Sequence, residues 1–375
     1  MSAPDPGRIR LFLGGDVMTG RGIDQVLPHP GDPRIHEPWV SSALTYVELA
    51  EQANGPIPKP VDFDYIWGDA LHDLEQAAPD LRIVNLETAV TRRGRPWPGK
   101  GIHYRMNPAN APCLSAAAID CCVLANNHVL DWGRAGLLDT LESLRLLNIG
   151  SPGAGADAER ASAPAVFDLG ARGRVLVFSL GHPDSGVPPD WAAAPGRSGV
   201  DLLPDWSAAE VRQLAGRVRA LKRPGDLVLV SLHWGGNWGY DVAAVHRAFA
   251  HALVDEAGVD LVHGHSSHHP RGIEVYGGRL ILYGCGDLIN DYEGIGGHEA
   301  FRGDLSLLYL AELSAGSGRL LGLEMVPMQM RRFRLNLATP ADARWLSGVL
   351  DRESRRFGAA VEPEQDGQLR LRLVF

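Results

Sequence analysis

Five apolar stretches of this 375-residue chain each end in side chains that bind divalent metals well. LFLGGDV delivers Asp16 after two glycines, IVNLE delivers Glu87, and CCVLANNH delivers Asn126, Asn127 and His128, with Asp131 three residues on. LVLVSLHWGG delivers His233, and VDLVHGHSSHH delivers His263, His265, His268 and His269. Carboxylate, amide oxygen and imidazole form a mixed hard and borderline donor set, suited to Mn, Fe, Zn or Mg and unlike the thiolate cage of a structural zinc. One such residue is commonplace: an Asp after a strand also makes an Asx turn or caps a helix, and a lone His is usually a satisfied polar side chain. Donors closing five stretches outweigh that reading. With several acids and several histidines, one or two divalent ions are expected, with Asp16 or Glu87 bridging them.

An ion in such a site polarises a phosphoryl or carbonyl oxygen and lowers the pKa of a bound water toward ~7. Hydrolysis then needs a proton donor, and His128 is the candidate, with Asp131 placed to fix its tautomer and raise its basicity. Asp131 alone equally fits a helix N-cap. The same site could acidify a Cα proton beside a polarised carbonyl. His128 and a histidine of the 263–269 group would then exchange that proton between faces, which is epimerase chemistry. Trp234, with Trp238 and Tyr240, and Asn237 are candidates for a substrate wall; Arg105 and Arg271, with Lys100 and Arg302, are candidates for holding an anionic substrate. Cys113, Cys121, Cys122 and Cys285 read as small buried core residues.

The elements that must position these groups follow from periodicity. Short apolar runs at 9–13, 81–84, 119–124, 165–167, 174–179, 227–232, 261–262, 273–275 and 280–283, with later runs at 305–312 and 320–329, predict strands. Segments of helical period at 136–147, 208–221 and 244–257 lie between them, the alternation of an α/β domain. Such sheets bind ligands beyond the carboxyl ends of their strands, where the donors lie. The stretches 25–62 and 182–205, rich in Pro and Gly, read as long loop insertions where substrate selection is placed. A basic turn at Arg331, Arg332 and Arg334 leads to a helix near 341–357 and a strand near 369–374. Residues 336–375 are thus expected to extend and pack on a single domain spanning 1–335.

Bulk properties narrow the partners. The net charge is −9, from 36 basic and 45 acidic residues, and no basic run tracks a phosphate backbone, so nucleic acid is not expected. The first apolar run, 11–13, is too short for a signal peptide, and nothing later approaches a membrane span. Four cysteines without a CxxC give no disulfide framework, and a soluble, reducing compartment fits these properties best. GDVMTGRG lacks the GK[ST] of a P-loop.

The motifs GDVMTGRG from Gly15, NLETAVT from Asn85, ANNHVLDWG from Ala125, GAG from Gly153, SLHWGGNWGY from Ser231, HGHSSHHPRGIE from His263 and YGCGDLIND from Tyr283 resemble, in order and over most of the chain, the CapA family of poly-gamma-glutamate synthesis proteins. That family lies within the calcineurin-like metallophosphatase superfamily. The resemblance implies a four-layer α/β/β/α sandwich and a metal-dependent hydrolase acting on a phosphoester or an amide-linked acidic peptide or polymer; because members that handle exported polymer are often membrane-anchored and no anchor is read here, it favours a cytoplasmic small-molecule or peptide substrate. Its alternatives are a peptide epimerase and a non-catalytic, metal-stabilised subunit of poly-gamma-glutamate synthesis. By resemblance, Asp16 matches the first metal aspartate, Glu87 stands where classical relatives carry a bridging Asp, and Asn127 and His128 match the Asn-His pair in which the amide binds metal and the imidazole faces substrate. His233 matches the middle histidine ligand. The family's GxHPH places Ser266 at the usual first histidine, which leaves His265 and His268 as ligands and His263 and His269 as competitors. Asp287 also departs, since the family commonly has Asn there.

Overall fold

The computed structural model describes residues 7–364 and 371–375. The strands that carry the site are, in chain order, β1 (Arg8–Val17), β2 (Leu81–Leu86), β3 (Cys121–Val123), β4 (Arg174–Gly181), β5 (Leu227–His233), β6 (Leu261–His265), β7 (Arg279–Leu282), β8 (Asp287–Ile289), β9 (Leu305–Ser314) and β10 (Leu320–Met330). Among the described residues a nine-stranded sheet runs β10, β9, β1, β2, β3, with β8 alongside the end of β1, Leu335–Leu337 paired to β10, and Leu371–Val374 and Ala360–Pro363 continuing the edge beyond β10. A six-stranded sheet runs Ile273–Tyr276, β7, β6, β5, β4, Ala165–Asp168. Strands β1, β2 and β3 are mutually parallel, as are β4, β5, β6 and β7.

Alternation along each strand builds the layers. Leu11 and Leu13 of β1 and Leu227 and Leu229 of β5 share one core between the two sheets. Phe12 faces the opposite way, into a core with α2 (Ala70–Ala77) and α3 (Gly133–Leu146); α1 is Leu44–Asn54. Val228, Val230 and Leu232 face a third core against α4 (Ala208–Leu221) and α5 (Ala244–Ala257). This is the expected α/β/β/α sandwich, and strands buried on both faces explain why they read as continuous apolar runs. On α4, Val211, Leu214, Ala215 and Val218 are buried, the spacing of one helical face. On α5 the helix ends at Gly258, whose φ of +68° is the left-handed C-cap conformation that glycine adopts without strain.

One expectation changes. The 25–62 stretch is not loop throughout, because α1 lies within it. Its buried face is only Tyr46, Val47 and Ala50, too narrow to stand out among flanking Pro and Gly. Beyond the basic turn, α6 (Pro340–Arg355) starts at Thr339, whose hydroxyl accepts from the Asp342 N–H, with Pro340 in the first turn. The final strand spans Leu371–Val374, while positions 369 and 370 of the expected strand lie outside the described residues. Among the described residues no helix is long and apolar enough to cross a membrane.

Candidate metal centre

The site begins at a defect in β1. Leu13 pairs with Ile83 but Asp16 pairs with Asn85, so β1 holds one residue more than β2 over that interval, a β-bulge of the kind that re-aims side chains beside active sites. Gly15 is obligatory there, since a Cβ would sit 1.7 Å from the Gly286 carbonyl oxygen. The bulge brings Asp16 into register with Asn85 on one side and Asp287 of β8 on the other.

Asn85 organises the acids. Its Nδ2 donates to Asp16 Oδ1 (2.8 Å) and to Glu87 Oε2 (2.9 Å), while its Oδ1 accepts from Asn126 Nδ2 (2.9 Å). Asn126 Oδ1 in turn accepts from the backbone N–H of His128 and Val129, which shapes the turn that presents Asn127 and His128. From the second sheet, His233 Nδ1 and His265 Nδ1 lie 2.8 Å apart, with His265 Nδ1 3.9 Å from Asp16 Oδ1 and His233 Nδ1 3.9 Å from Glu87 Oε2. Asp16, His233 and His265 therefore offer converging donor atoms, and so do Asp16, His268 and Asp287, with Asp16 common to both groups. His268 Nδ1 is 2.8 Å from Asp287 Oδ1, and its Nε2 is 3.1 Å from Asn237 Nδ2.

Without a cation this arrangement is costly. Burial and the Asp287 carboxylate push the Asp16 pKa up to about 7. Burial, then Asp16 and Asp287, hold Glu87 well above the ordinary carboxylate range. Burial opposes the charged form of His268, yet the adjoining Asp287 carboxylate raises it on balance. Asp16 Oδ2, Asn127 Oδ1 and His233 Nε2 are buried with no hydrogen-bond partner, where such atoms are normally paired. Clustered buried carboxylates, a bare imidazole nitrogen and orphaned oxygens all fit a divalent cation, and two donor groups sharing Asp16 accommodate one ion or two.

His128 lies at the edge of this cluster, its Nε2 3.9 Å from Glu87 Oε1. Its Nδ1 is 2.6 Å from Asp131 Oδ2, and its ring stands edge-on to Tyr104 at 4.7 Å. Burial, with a contribution from Lys100, outweighs Asp131 and drops the His128 pKa to about 4, which leaves Nε2 an acceptor at neutral pH. Lys100 Nζ is 2.5 Å from Asp131 Oδ1 and also donates to the Asn127 carbonyl.

Other expected residues lie elsewhere. His263 bonds the Gly14 carbonyl through Nε2 (2.9 Å), and burial drops its pKa to about 4. His269 Nε2 accepts from the Gly239 N–H. Ser266 takes a φ of +98° and donates to the Gly235 carbonyl. Trp234 is buried in the outer core of the second sheet, with Nε1 donating to the Tyr283 carbonyl. Arg271 clamps the Gly236 and Gly239 carbonyls, which steadies the loop carrying Asn237. Arg105 stacks on Trp132 and donates to the Asp32 carbonyl, lining a separate small recess. Arg302, held by Asp304 and Asp342, does line the cavity beside His268. A cavity of about 590 Å³ adjoins His268 and Asn237, with Tyr46, Trp238, Tyr292 and His298 in its walls. Tyr46 comes from the 25–62 insertion, which does wall the cavity.

A family model described as bacterial capsule synthesis protein PGA_cap matches residues 10–292. The chain belongs to this family. It is 50% identical over 370 residues, 98% of this chain and 97% of the relative, to a probable polyglutamine synthesis accessory protein of Mycobacterium tuberculosis. It is 29% identical over 279 residues, 74% of this chain and 62% of the relative, to the PGA biosynthesis protein CapA of Bacillus subtilis. It is 27% identical over 284 residues, 76% of this chain and 60% of the relative, to the capsule biosynthesis protein CapA of Bacillus anthracis. These matches bear out the family resemblance read from the motifs.

Asn85 and Asp287 join the cluster although neither is among the residues expected to form it. Asn85 was available from strand periodicity, being two residues before Glu87 and so on the same face. Asp287 stood out only as a departure from the family pattern, and nothing in the sequence announced its pairing with Asp16.

Proposed function

We propose that this protein is a metal-dependent hydrolase that cleaves an amide-linked acidic chain or a phosphoester. The observation that carries the reading is the His128–Asp131 pair standing 3.9 Å from Glu87, within a cluster of two converging donor groups, one of which reaches a substrate-sized cavity through His268. Asp16, Glu87, Asn127, His233, His265, His268 and Asp287 would hold one or two divalent ions. Bound there, the metal supplies Lewis acidity at the reacting oxygen and a more acidic water.

The chain's own residues do the proton work. Asp131 accepts from His128 Nδ1–H and leaves a lone pair on Nε2. Nε2 takes a proton from the attacking water, the imidazolium is stabilised by Asp131, and the proton then passes to the departing amine or alcohol. Against burial, His128 and then Lys100 hold the Asp131 carboxyl below its ordinary range. The names of the relatives, which refer to capsule, PGA and polyglutamine synthesis, favour an amide-linked polymer as substrate.

Metal reconstitution followed by assay on peptide and phosphoester panels tests this. His128→Ala should lower kcat by ~10²–10⁴-fold with ion content unchanged. Equal turnover in the variant would remove His128 from the chemistry, and no cleavage by metal-loaded wild type on any substrate would sink the hydrolase. Solvent deuterium appearing at a peptide Cα without cleavage would assign epimerase chemistry instead. The word "accessory" in the Mycobacterium tuberculosis relative's name favours a second reading, a metal-stabilised, non-catalytic subunit. That subunit would keep partner binding in His128→Ala and lose stability on chelation.

A further inference from the structure

Ser231 of β5 faces two histidines of β6, and the hydrogen bonds among them have one self-consistent direction. Ser231 and His263 are register partners on adjacent parallel strands, as are His233 and His265. Residues two apart on a strand share a face, so the four side chains form two adjoining rows, all buried. The row starts at a carbonyl. Gly14 C=O can only accept, so His263 Nε2, 2.9 Å away, carries a proton. A neutral imidazole has a single N–H, which makes His263 Nδ1 an acceptor, and the Ser231 hydroxyl 3.1 Å away donates to it. With its one hydrogen committed, Ser231 Oγ meets His265 Nε2 at 2.8 Å as an acceptor, so His265 also carries its proton on Nε2. His265 Nδ1 is left as a bare lone pair, facing His233 Nδ1 at 2.8 Å and Asp16 Oδ1 at 3.9 Å.

We propose that Ser231 and His263 are positioning residues that lock His265 in its Nε2–H tautomer and so present its Nδ1 to a divalent cation shared with Asp16 and His233. This rests on the metal reading above, and it adds a path from the bulge in β1 to a ligand on the opposite sheet. The bulge residue Gly14 sets the proton on His263, and two hydrogen bonds later that choice decides which nitrogen of His265 is free. The same relay gives a role to His263, which offers the cluster no donor atom because both its nitrogens are engaged. In the metal-free protein, His233 Nδ1–H donates to His265 Nδ1 and leaves His233 Nε2 bare, in keeping with the absence of a partner there.

Nitrogen NMR of histidine-labelled, metal-free wild type should show His263 and His265 both as Nε2–H tautomers. Cadmium loading should then produce coupling to His265 Nδ1. Ser231→Ala should mix the His265 tautomers and weaken zinc binding, measured by chelator competition, by ~10–100-fold, as loss of a ligand's supporting hydrogen bond does. Ser231→Thr, which keeps the hydroxyl, should recover most of that loss. An Nδ1–H tautomer at His265 in metal-free wild type overturns the relay whatever the protein does with metal, and it does not depend on any variant folding. Zinc affinity unchanged in Ser231→Ala overturns it too. If wild type shows the expected tautomers but binds neither zinc nor cadmium, the metal centre itself fails and the ligand role of His265 falls with it.

Discussion

Asp16→Asn should stabilise the metal-free protein while abolishing its ion binding. Asp16 is fully buried, and burial together with the Asp287 carboxylate raises its pKa from 3.8 to about 7. In the unfolded chain the group ionises near its ordinary value, so between 3.8 and about 7 the folded state holds a proton that the unfolded state has released. Stability therefore falls as pH rises through that window: the penalty is absent below it and fully present above it. A rise from 3.8 to about 7 corresponds to on the order of 4 kcal/mol, at ~1.4 kcal/mol per pH unit. Asparagine keeps the oxygen that accepts from Asn85 and carries no charge, which also relieves Glu87, whose pKa Asp16 helps to raise. Urea unfolding in a chelator, on both sides of the Asp16 transition, reads the effect. Wild type should lose stability toward alkaline pH, and Asp16→Asn should lose much less of it. Saturating zinc or manganese should reverse the order, because only wild type gains by binding. A variant no more stable than wild type in chelator above the transition would refute the argument that this carboxylate cluster demands a counter-ion.

Lys100→Met should raise the pKa of His128, which Lys100 helps to hold down at about 4. The acid limb of the kcat/KM profile then moves to higher pH, and a limb that stays put or moves lower contradicts the base role of Nε2. Trp238 stacks on His298 at 4.0 Å in the cavity wall, so Trp238→Ala should raise KM by ~2–10-fold, as loss of a ~0.5–1.5 kcal/mol aromatic contact would, with kcat little changed. Gly15→Ala would press a methyl against the Gly286 carbonyl, and urea unfolding in chelator should register at least the ~1–3 kcal/mol of overpacking.

Much of the fold was legible because strands buried on both faces leave unbroken apolar runs, and helices such as α4 leave a face of period three and four. The short helix α1 was not, since three buried residues amid Pro and Gly give no periodic signal. The donors at strand ends were legible by type. Their grouping was not: the family motif favours His265 and His268, but only the fold shows that His265 joins Asp16 and His233 while His268 joins Asp16 and Asp287, and that His263 and His269 are engaged by a backbone carbonyl and a backbone N–H. Likewise Trp234 and Arg271 read as substrate contacts from residue type, but one fills a core and the other braces a loop.

The amino-acid sequence by itself determined the inventory: an α/β chain whose carboxylates, amides and imidazoles fall at the carboxyl ends of strands, in the order of a known family. Those properties are local, resting on residue type and spacing along one chain segment. Tertiary structure alone decided that Asp16 joins two donor groups, that Asp287 sits beside it, and that Ser231 lies between His263 and His265. Each of these depends on the register between strands far apart in sequence and on a one-residue bulge in β1, neither of which any single segment encodes.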